Sequence, residues 1–333
     1  MLESITPEDA VEAYLNEREA ELSDSSLQNQ RYRLQRFIEW CEEVGLEDMN
    51  NMTGRRAHDY KMWRAEDVKP ITLKTQLDTL RVFLEFCERI EAVPEHVHEK
   101  VSSPPITGNG DQSNEMIEPE EVDRILAYLD KWEHASLTHV VFHLLWHTGM
   151  RSGSARGLDV DDYDSDGGFV EIHHRPDTGT PLKNKENGER HINLIRELCD
   201  TLDDFLKFNH GNVADDHGRM PLLGTSRGRP ALSTIRRKVY QMTRPCVYTD
   251  ECPHDRKIDD CEATESDHAS KCPSSVSPHA IRRGSITYHL NAGVPKEVVS
   301  DRMNVSDEVL EKHYDERTAG ERRGQRRSYL DDL

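Results

Sequence analysis

Apolar residues recur through the first hundred positions at helical spacing. Leu34, Phe37, Ile38 and Cys41 lie three or four apart, and Gly45 follows as a stop. Leu73, Leu77, Leu80, Leu84 and Cys87 form a second stripe of the same period. Ahead of both, Thr6-Pro7-Glu8 reads as a helix start: a capping hydroxyl, a proline at the first helical position, then an acid. A shorter helix is predicted around Ala57–Trp63. The pattern predicts a bundle of four helices over residues 1–100.

Periodicity then stops. Val101–Met116 (VSSPPITGNGDQSNEM) is rich in Ser, Pro, Gly and Asn and reads as a linker, a joint that would let two folded halves close around a long ligand. A second domain is expected over 117–333. Glu118-Pro119-Glu120-Glu121 opens a helix, and Leu137–Trp146 is a strongly apolar helix ending at Gly149. Asp166-Gly167-Gly168 predicts a turn into the alternating strand Phe169–His173. Asn187-Gly188 is a hairpin-turn signal before a return strand, Arg190–Leu194. The rest is expected to be helical apart from a Cys-rich insert over 246–272. The fold class is therefore mainly α, two domains, with a small antiparallel sheet in the second.

The 333 residues carry 63 acids against 43 lysines and arginines, a net charge of −20, which at first argues against a nucleic-acid partner. The average hides a polarised chain. Arg219–Arg244 holds seven basic residues and no acid, and Pro273 to the C-terminus balances ten against ten. A general acid surplus with basic islands fits a surface kept soluble in concentrated salt, and implies a halophilic host. No apolar run approaches a membrane span and no signal peptide opens the chain, so a cytoplasmic protein with no membrane partner is expected.

Pro278–Thr318 is the most informative stretch. His279 and Arg282 are three apart and share one helix face, with Pro278 suited to the first turn. A guanidinium is a planar fork that matches phosphate oxygens, and a histidine titrates where proton transfer is useful. Tyr314 lies among Glu311, Lys312, His313, Asp315, Glu316 and Arg317, surroundings foreign to a core aromatic. Upstream, Arg151 follows the helix stop at Gly149 and begins the next helix. Lys183 and Lys185 precede the Asn-Gly turn, and either could donate a proton to a leaving oxygen. Two arginines, a histidine, a lysine and a tyrosine suggest cutting of a DNA strand through a covalent protein–DNA bond, without a metal in the chemistry.

The order of these residues resembles the tyrosine recombinase (phage integrase) family. TGMRSGSARGLDVDDYD is similar to its first arginine box, PHAIRRGSITYHLNAGV to its second, and SDEVLEKHYDERT to its tyrosine box. The details resemble integrases of halophilic archaea. The resemblance implies an N-terminal helical DNA-binding domain and a C-shaped clamp around duplex DNA, with four protomers on two duplexes. It implies Tyr314 as nucleophile, a 3′-phosphotyrosine intermediate, Arg151 and Arg282 on the phosphoryl oxygens, Lys185 (or Lys183) as the acid at the leaving oxygen, and His279 in proton transfer. Arg227, Arg229, Arg236, Arg237 and Lys238 are the expected DNA contacts. One position departs. The family has a His or Trp in a Leu-Gly-His pattern nine residues before the tyrosine, and here Asn304 or Val305 takes that place.

Three of the seven cysteines, Cys41, Cys87 and Cys199, fall within helical patterns and read as core residues. Cys246, Cys252, Cys261 and Cys272 cluster in the insert and could supply four thiolates to a structural zinc, with His254 and His268 as alternates. Reduced free thiols or a disulfide are the other readings. Such a zinc would fold the insert and brace His279; no other cofactor is expected. The competing functions are a type IB topoisomerase, a DNA-binding relative with little or no catalysis, and a zinc-stabilised regulator.

Overall fold

Thr6 starts the first helix as expected: its hydroxyl accepts the backbone N–H of Asp9 at 3.1 Å, and Pro7 follows at the first position. In the computed structural model of the chain, residues 2–105 and 115–313 are described. Contacts divide the chain into two units, Met1–Ser113 and Asn114–Leu333.

The first unit holds the four expected helices: α1 (Pro7–Glu19), α2 (Asp24–Val44), α3 (Gly54–Ala65) and α4 (Pro70–Arg89). Gly45 ends α2 in the left-handed region, φ 67°. The predicted stripes face inward, and Leu34, Phe37, Cys41, Leu77, Leu80, Leu84 and Cys87 are all buried. Phe37 meets Tyr60 and Phe83 edge-to-face, and Tyr14 packs in the same way on Phe83 and Trp40 on Tyr60. Each such buried ring contributes roughly 1.5–3 kcal/mol. The expected linker begins too early. Val101 is buried in this core, and Arg81 donates to its carbonyl at 2.9 Å and to the Ser103 hydroxyl at 3.1 Å. Burial of Val101 and the Arg81 side-chain bonds therefore tie residues 101–103 to the first unit.

The second unit is built around α6 (Leu137–Thr148), which follows α5 (Pro119–Trp132). Nearly every side chain of α6 is buried, as expected of a helix apolar on all sides. Around it pack α7 (Ser152–Gly157), α8 (Arg196–Asp204), α9 (Leu232–Met242) and α11 (Pro278–Asn291); α10 (Pro245–Thr249) lies beside α5 and α9. Small residues bring α11 close. A Cβ at Gly284 would sit 2.4 Å from the Ile117 carbonyl, and the Ser285 hydroxyl donates to the Trp146 carbonyl at 2.5 Å. A second, smaller core joins α11 to α12 (Lys296–Met303) and α13 (Asp307–His313) through Ile286, Leu290, Val299, Met303, Val305 and Leu310.

The sheet is antiparallel, β1 (Tyr163–Asp164), β2 (Phe169–Ile172) and β3 (Arg190–Asn193) in that order. The Asp166-Gly167-Gly168 turn forms as predicted between β1 and β2. The Asn187-Gly188 turn does not. Phe169 pairs with Asn193 and Ile172 with Arg190, but residues 173–189 make a long excursion between the strands, with 3₁₀ turns at Pro176–Thr178 and Lys185–Gly188. Lys183 and Lys185 therefore stand on a loop rather than on strand ends. Among the described residues, no helix is long and apolar enough to cross a membrane.

Candidate active site

Three chain segments meet at the end of α6. Gly149 closes that helix with φ 59°, and a Cβ there would lie 2.6 Å from Met303 Sδ. Both the backbone conformation and the space require glycine. The chain then turns so that Arg151 caps α7. From α11, Arg282 reaches the same place. Its Nη1 donates to the carbonyls of Gly149 at 2.6 Å and Met303 at 2.7 Å, and its side chain is buried. The third segment is the end of α12, where Asn304 adopts φ 50°, ψ 61°.

Asn304 binds both arginines. Arg151 Nη1 donates to its carbonyl and to its Oδ1, each at 3.2 Å, and Arg282 Nη2 donates to the same carbonyl at 3.4 Å. The Asn304 amide also holds the β2–β3 loop: Oδ1 accepts from Asn184 Nδ2 at 2.6 Å, and Nδ2 donates to the Asn187 carbonyl at 2.8 Å. Val305, the next residue, is buried in the small core. The polar group from this position is thus the Asn304 amide.

Ser277 caps α11, leaving Pro278 and His279 in its first turn, and His279 is exposed. Lost hydration, then the charges of Arg282, Arg283, Arg151 and Lys183, hold its pKa below the usual histidine value. Lys183 is among these charges; Lys185, with φ 52° at the start of its 3₁₀ turn, is exposed. Arg190 adds a further cation. It donates to the carbonyls of Arg302 at 2.8 Å and Gly188 at 2.7 Å, and burial, then Arg151, lower its pKa to about 10, so it stays charged. In a chain of net charge −20, a group of cations at one place makes a site for an anion.

Two arginines and a histidine from segments far apart in sequence, in the order and spacing of the sequence boxes, agree with a family match over residues 115–319, that of the Phage integrase family. The chain belongs to this family. No curated protein matches it. Among solved structures, it is similar to the Tn1549 transposon integrase in complex with a circular intermediate DNA: 13% identity, 98% of this chain and 100% of that one covered, TM-score 0.67. It is also similar to a lambda integrase dimer bound to a COC′ core site, at 12% identity, 95% and 79% covered, TM-score 0.65. At these identities the likeness establishes the fold. The N-terminal domain of a phage integrase/site-specific recombinase from Haloarcula marismortui matches at 38% identity over 31% of this chain and 99% of that one, TM-score 0.30.

The basic stretch of this integrase-family chain is largely structural. Arg229, expected to contact DNA, is buried, with 4% of its side chain exposed. It pairs with Asp159 and, at 2.7 Å, with Asp215, and donates to the carbonyls of Arg156 and Leu158. Arg219 holds both Asp159 oxygens, Nε donating to Oδ2 at 2.8 Å and Nη2 to Oδ1 at 3.0 Å. Burial alone would raise the Asp159 pKa, but the two arginines outweigh it and hold the carboxyl below its usual value. Arg237 pairs with Asp267 of the insert at 2.9 Å, and Arg244 donates to the Ala263 carbonyl at 2.5 Å. Arg227 and Arg236 are exposed, and Lys238 is half-buried.

Those contacts dock the Cys-rich insert on α9. Burial pushes the Cys246 thiol up, with Arg244 opposing and the charges of Cys272 and Cys252 adding to the rise. Yet among the described residues no three of the four sulfurs lie within 4.8 Å of one another. A tetrahedral site with Zn–S bonds of 2.3 Å needs sulfurs about 3.8 Å apart, so the set as it stands is open. His254 is bonded to the Ser274 hydroxyl at 2.8 Å, and His268 lies beside Glu265 at 2.9 Å. The one close group of metal-ligand atoms among the described residues is Asp130, His134 and His139. There His139 Nδ1 accepts the Ala135 N–H at 3.3 Å, which puts its proton on Nε2 and leaves no lone pair facing Asp130.

Tyr314 lies outside the described residues. Sequence reasoning missed the roles of Asn184 and Arg190, and named Asn304 only as one of two residues in the departing position. Only Asn304 carried a signal, as an Asn directly after a helix, where the left-handed cap is common.

Proposed function

We propose that this chain cuts and rejoins DNA strands at defined sites through a 3′-phosphotyrosine bond to Tyr314. The observation that carries the reading is the convergence of Arg151 and Arg282 on Asn304 from segments far apart in sequence, with His279 on the same helix as Arg282. In the proposed step the Tyr314 oxygen attacks a backbone phosphorus, its proton passing to His279. The bond from phosphorus to the 5′ oxygen breaks, and a lysine protonates that oxygen. Arg151 and Arg282 stabilise the charge that builds on the phosphoryl oxygens. Religation reverses the step on a partner strand, because the phosphodiester energy is kept in the covalent bond. Lys183 is the better lysine, a choice supported by its neighbour Asn184, which is bonded to the same Asn304 Oδ1 that Arg151 contacts.

The partner in this reading is duplex DNA, held by four protomers on two duplexes, with Arg227, Arg236 and Lys238 as basic contacts. The acid surplus reads as adaptation to concentrated salt. Counterion release then contributes little, and binding rests on base contacts and assembly. A salt dependence as steep as roughly ten counterions would contradict this.

The test is a nicked suicide substrate that traps the covalent complex. The unaltered protein is expected to form it and Tyr314→Phe to abolish it; an unchanged yield from Tyr314→Phe overturns the assignment. A defined product from two sites separates a recombinase from a topoisomerase. The buried Val305 favours one second reading, a relative that binds DNA and cuts it slowly. DNA binding without a covalent complex would establish it.

A further inference from the structure

We propose that Asn304 is a positioning residue, whose amide locks the loop carrying Lys183 to Arg151 and so sets the distance between the acid and the phosphate clamp. The proposal rests on the recombinase reading above. Its basis is the double use of one side chain. Oδ1 accepts from Arg151 at 3.2 Å and from Asn184 at 2.6 Å, while Nδ2 donates to the Asn187 carbonyl at 2.8 Å. Asn184 directly follows Lys183, so fixing Asn184 fixes the root of that lysine.

The loop needs such a tie. Residues 173–189 run outside the strand ladder, and Lys183, Asn184, Lys185, Glu186 and Asn187 are all exposed. A long exposed lysine on an unanchored loop samples many positions, and a displacement of about 1 Å can cost about a hundredfold in rate. The residue type follows from two demands at once. The end of α12 needs φ 50°, which Gly and Asn tolerate best, and only Asn also brings a donor and an acceptor. Val305 offers neither, since its side chain is in the small core.

Capping and positioning are separable. Asn304→Gly keeps the left-handed backbone and the carbonyl that Arg151 and Arg282 share, but removes the amide. Asn184→Ala removes the loop's half of the same contact and leaves α12 untouched. Both variants are expected to bind DNA with the parent's affinity and to slow trapping on the suicide substrate by ~10- to 100-fold at saturating DNA. On a substrate with sulfur as the bridging 5′ atom, whose leaving group needs no proton, most of the loss should disappear. The double variant should be no slower than the slower single one, because both remove one interaction. An unchanged rate in Asn304→Gly, or an equal loss on both substrates, overturns the proposal.

A second measurement does not depend on catalysis. Amide hydrogen exchange of residues 182–189 should quicken in Asn304→Gly while α6 exchanges as before; unchanged exchange of 182–189 overturns the tie. If the parent itself forms no covalent complex, the recombinase reading fails, and this exchange result alone decides whether Asn304 anchors the loop.

Discussion

Arg229 is ion-paired to Asp159 beneath the surface of the second unit, with 4% and 11% of their side chains exposed. The pair shares its charges with Arg219 and Asp215, so removing Arg229 takes one of the arginines from Asp159 and leaves the buried Asp215 carboxylate without its ion pair. Arg229→Ala is expected to destabilise the second unit by about 3–5 kcal/mol, measured by denaturant unfolding. Arg227→Ala, two residues away and exposed, should change stability by less than about 0.5 kcal/mol and weaken DNA binding instead. Equal stability of the two variants would contradict the internal role of Arg229.

The two loop lysines can be told apart by the leaving group. Lys183→Ala should slow cleavage of an ordinary substrate by ~10²- to 10⁴-fold, the usual weight of a general acid, and recover on the 5′-sulfur substrate. Lys185→Ala should cut near the parent rate. The reverse result would move the acid to Lys185 and remove the meaning given to the Asn184 contact beside Lys183.

Acid should unfold the second unit. His139, His143 and His147 repeat every four residues along α6, and His289 lies on α11. Burial, aided at His147 by Arg302, lowers all four, His139 to about 4 and His147 to about 3. Their unfolded values stay near the ordinary histidine pKa of about 6.5, so below it the unfolded chain takes up protons that the fold refuses. Stability is therefore complete above about pH 6.5 and falls as pH drops, by up to about 1.4 kcal/mol per unit for each histidine. His143→Leu should flatten the slope by one histidine's share. A melting temperature that does not change from pH 7.5 to 5 would refute the account.

The expected zinc of the Cys-rich insert can be tested directly. A zinc on these four thiolates would have to draw them together, and its binding energy would then be folding energy. Metal analysis of purified protein is expected to find about one zinc per chain, lost in Cys252→Ser. A chelator should lower the melting temperature and loosen the Arg237–Asp267 contact. Well under one zinc per chain would leave Cys246, Cys252, Cys261 and Cys272 as ordinary thiols.

Legibility followed the range of the forces involved. The stripes of α2 and α4, the caps at Thr6 and Gly45, and the turn at Gly168 were readable because helical period, capping and left-handed backbone are local properties. Arg151, His279 and Arg282 were readable as chemistry, since residue type and order alone suggest a phosphate clamp. The meeting of the two arginines at Asn304 was not, because Gly149, Met303 and Asn304 come together only when α6, α11 and α12 pack. The fate of a basic residue was the least readable feature. Arg229 and Arg227 look alike in sequence, yet the acids that claim Arg229 lie 14 and 70 positions away. Residue order alone thus determined the helical units, the family and the candidate chemistry. Tertiary structure decided which cations face solvent and which are held by buried carboxylates, because desolvation and ion pairing depend on neighbours that only folding supplies.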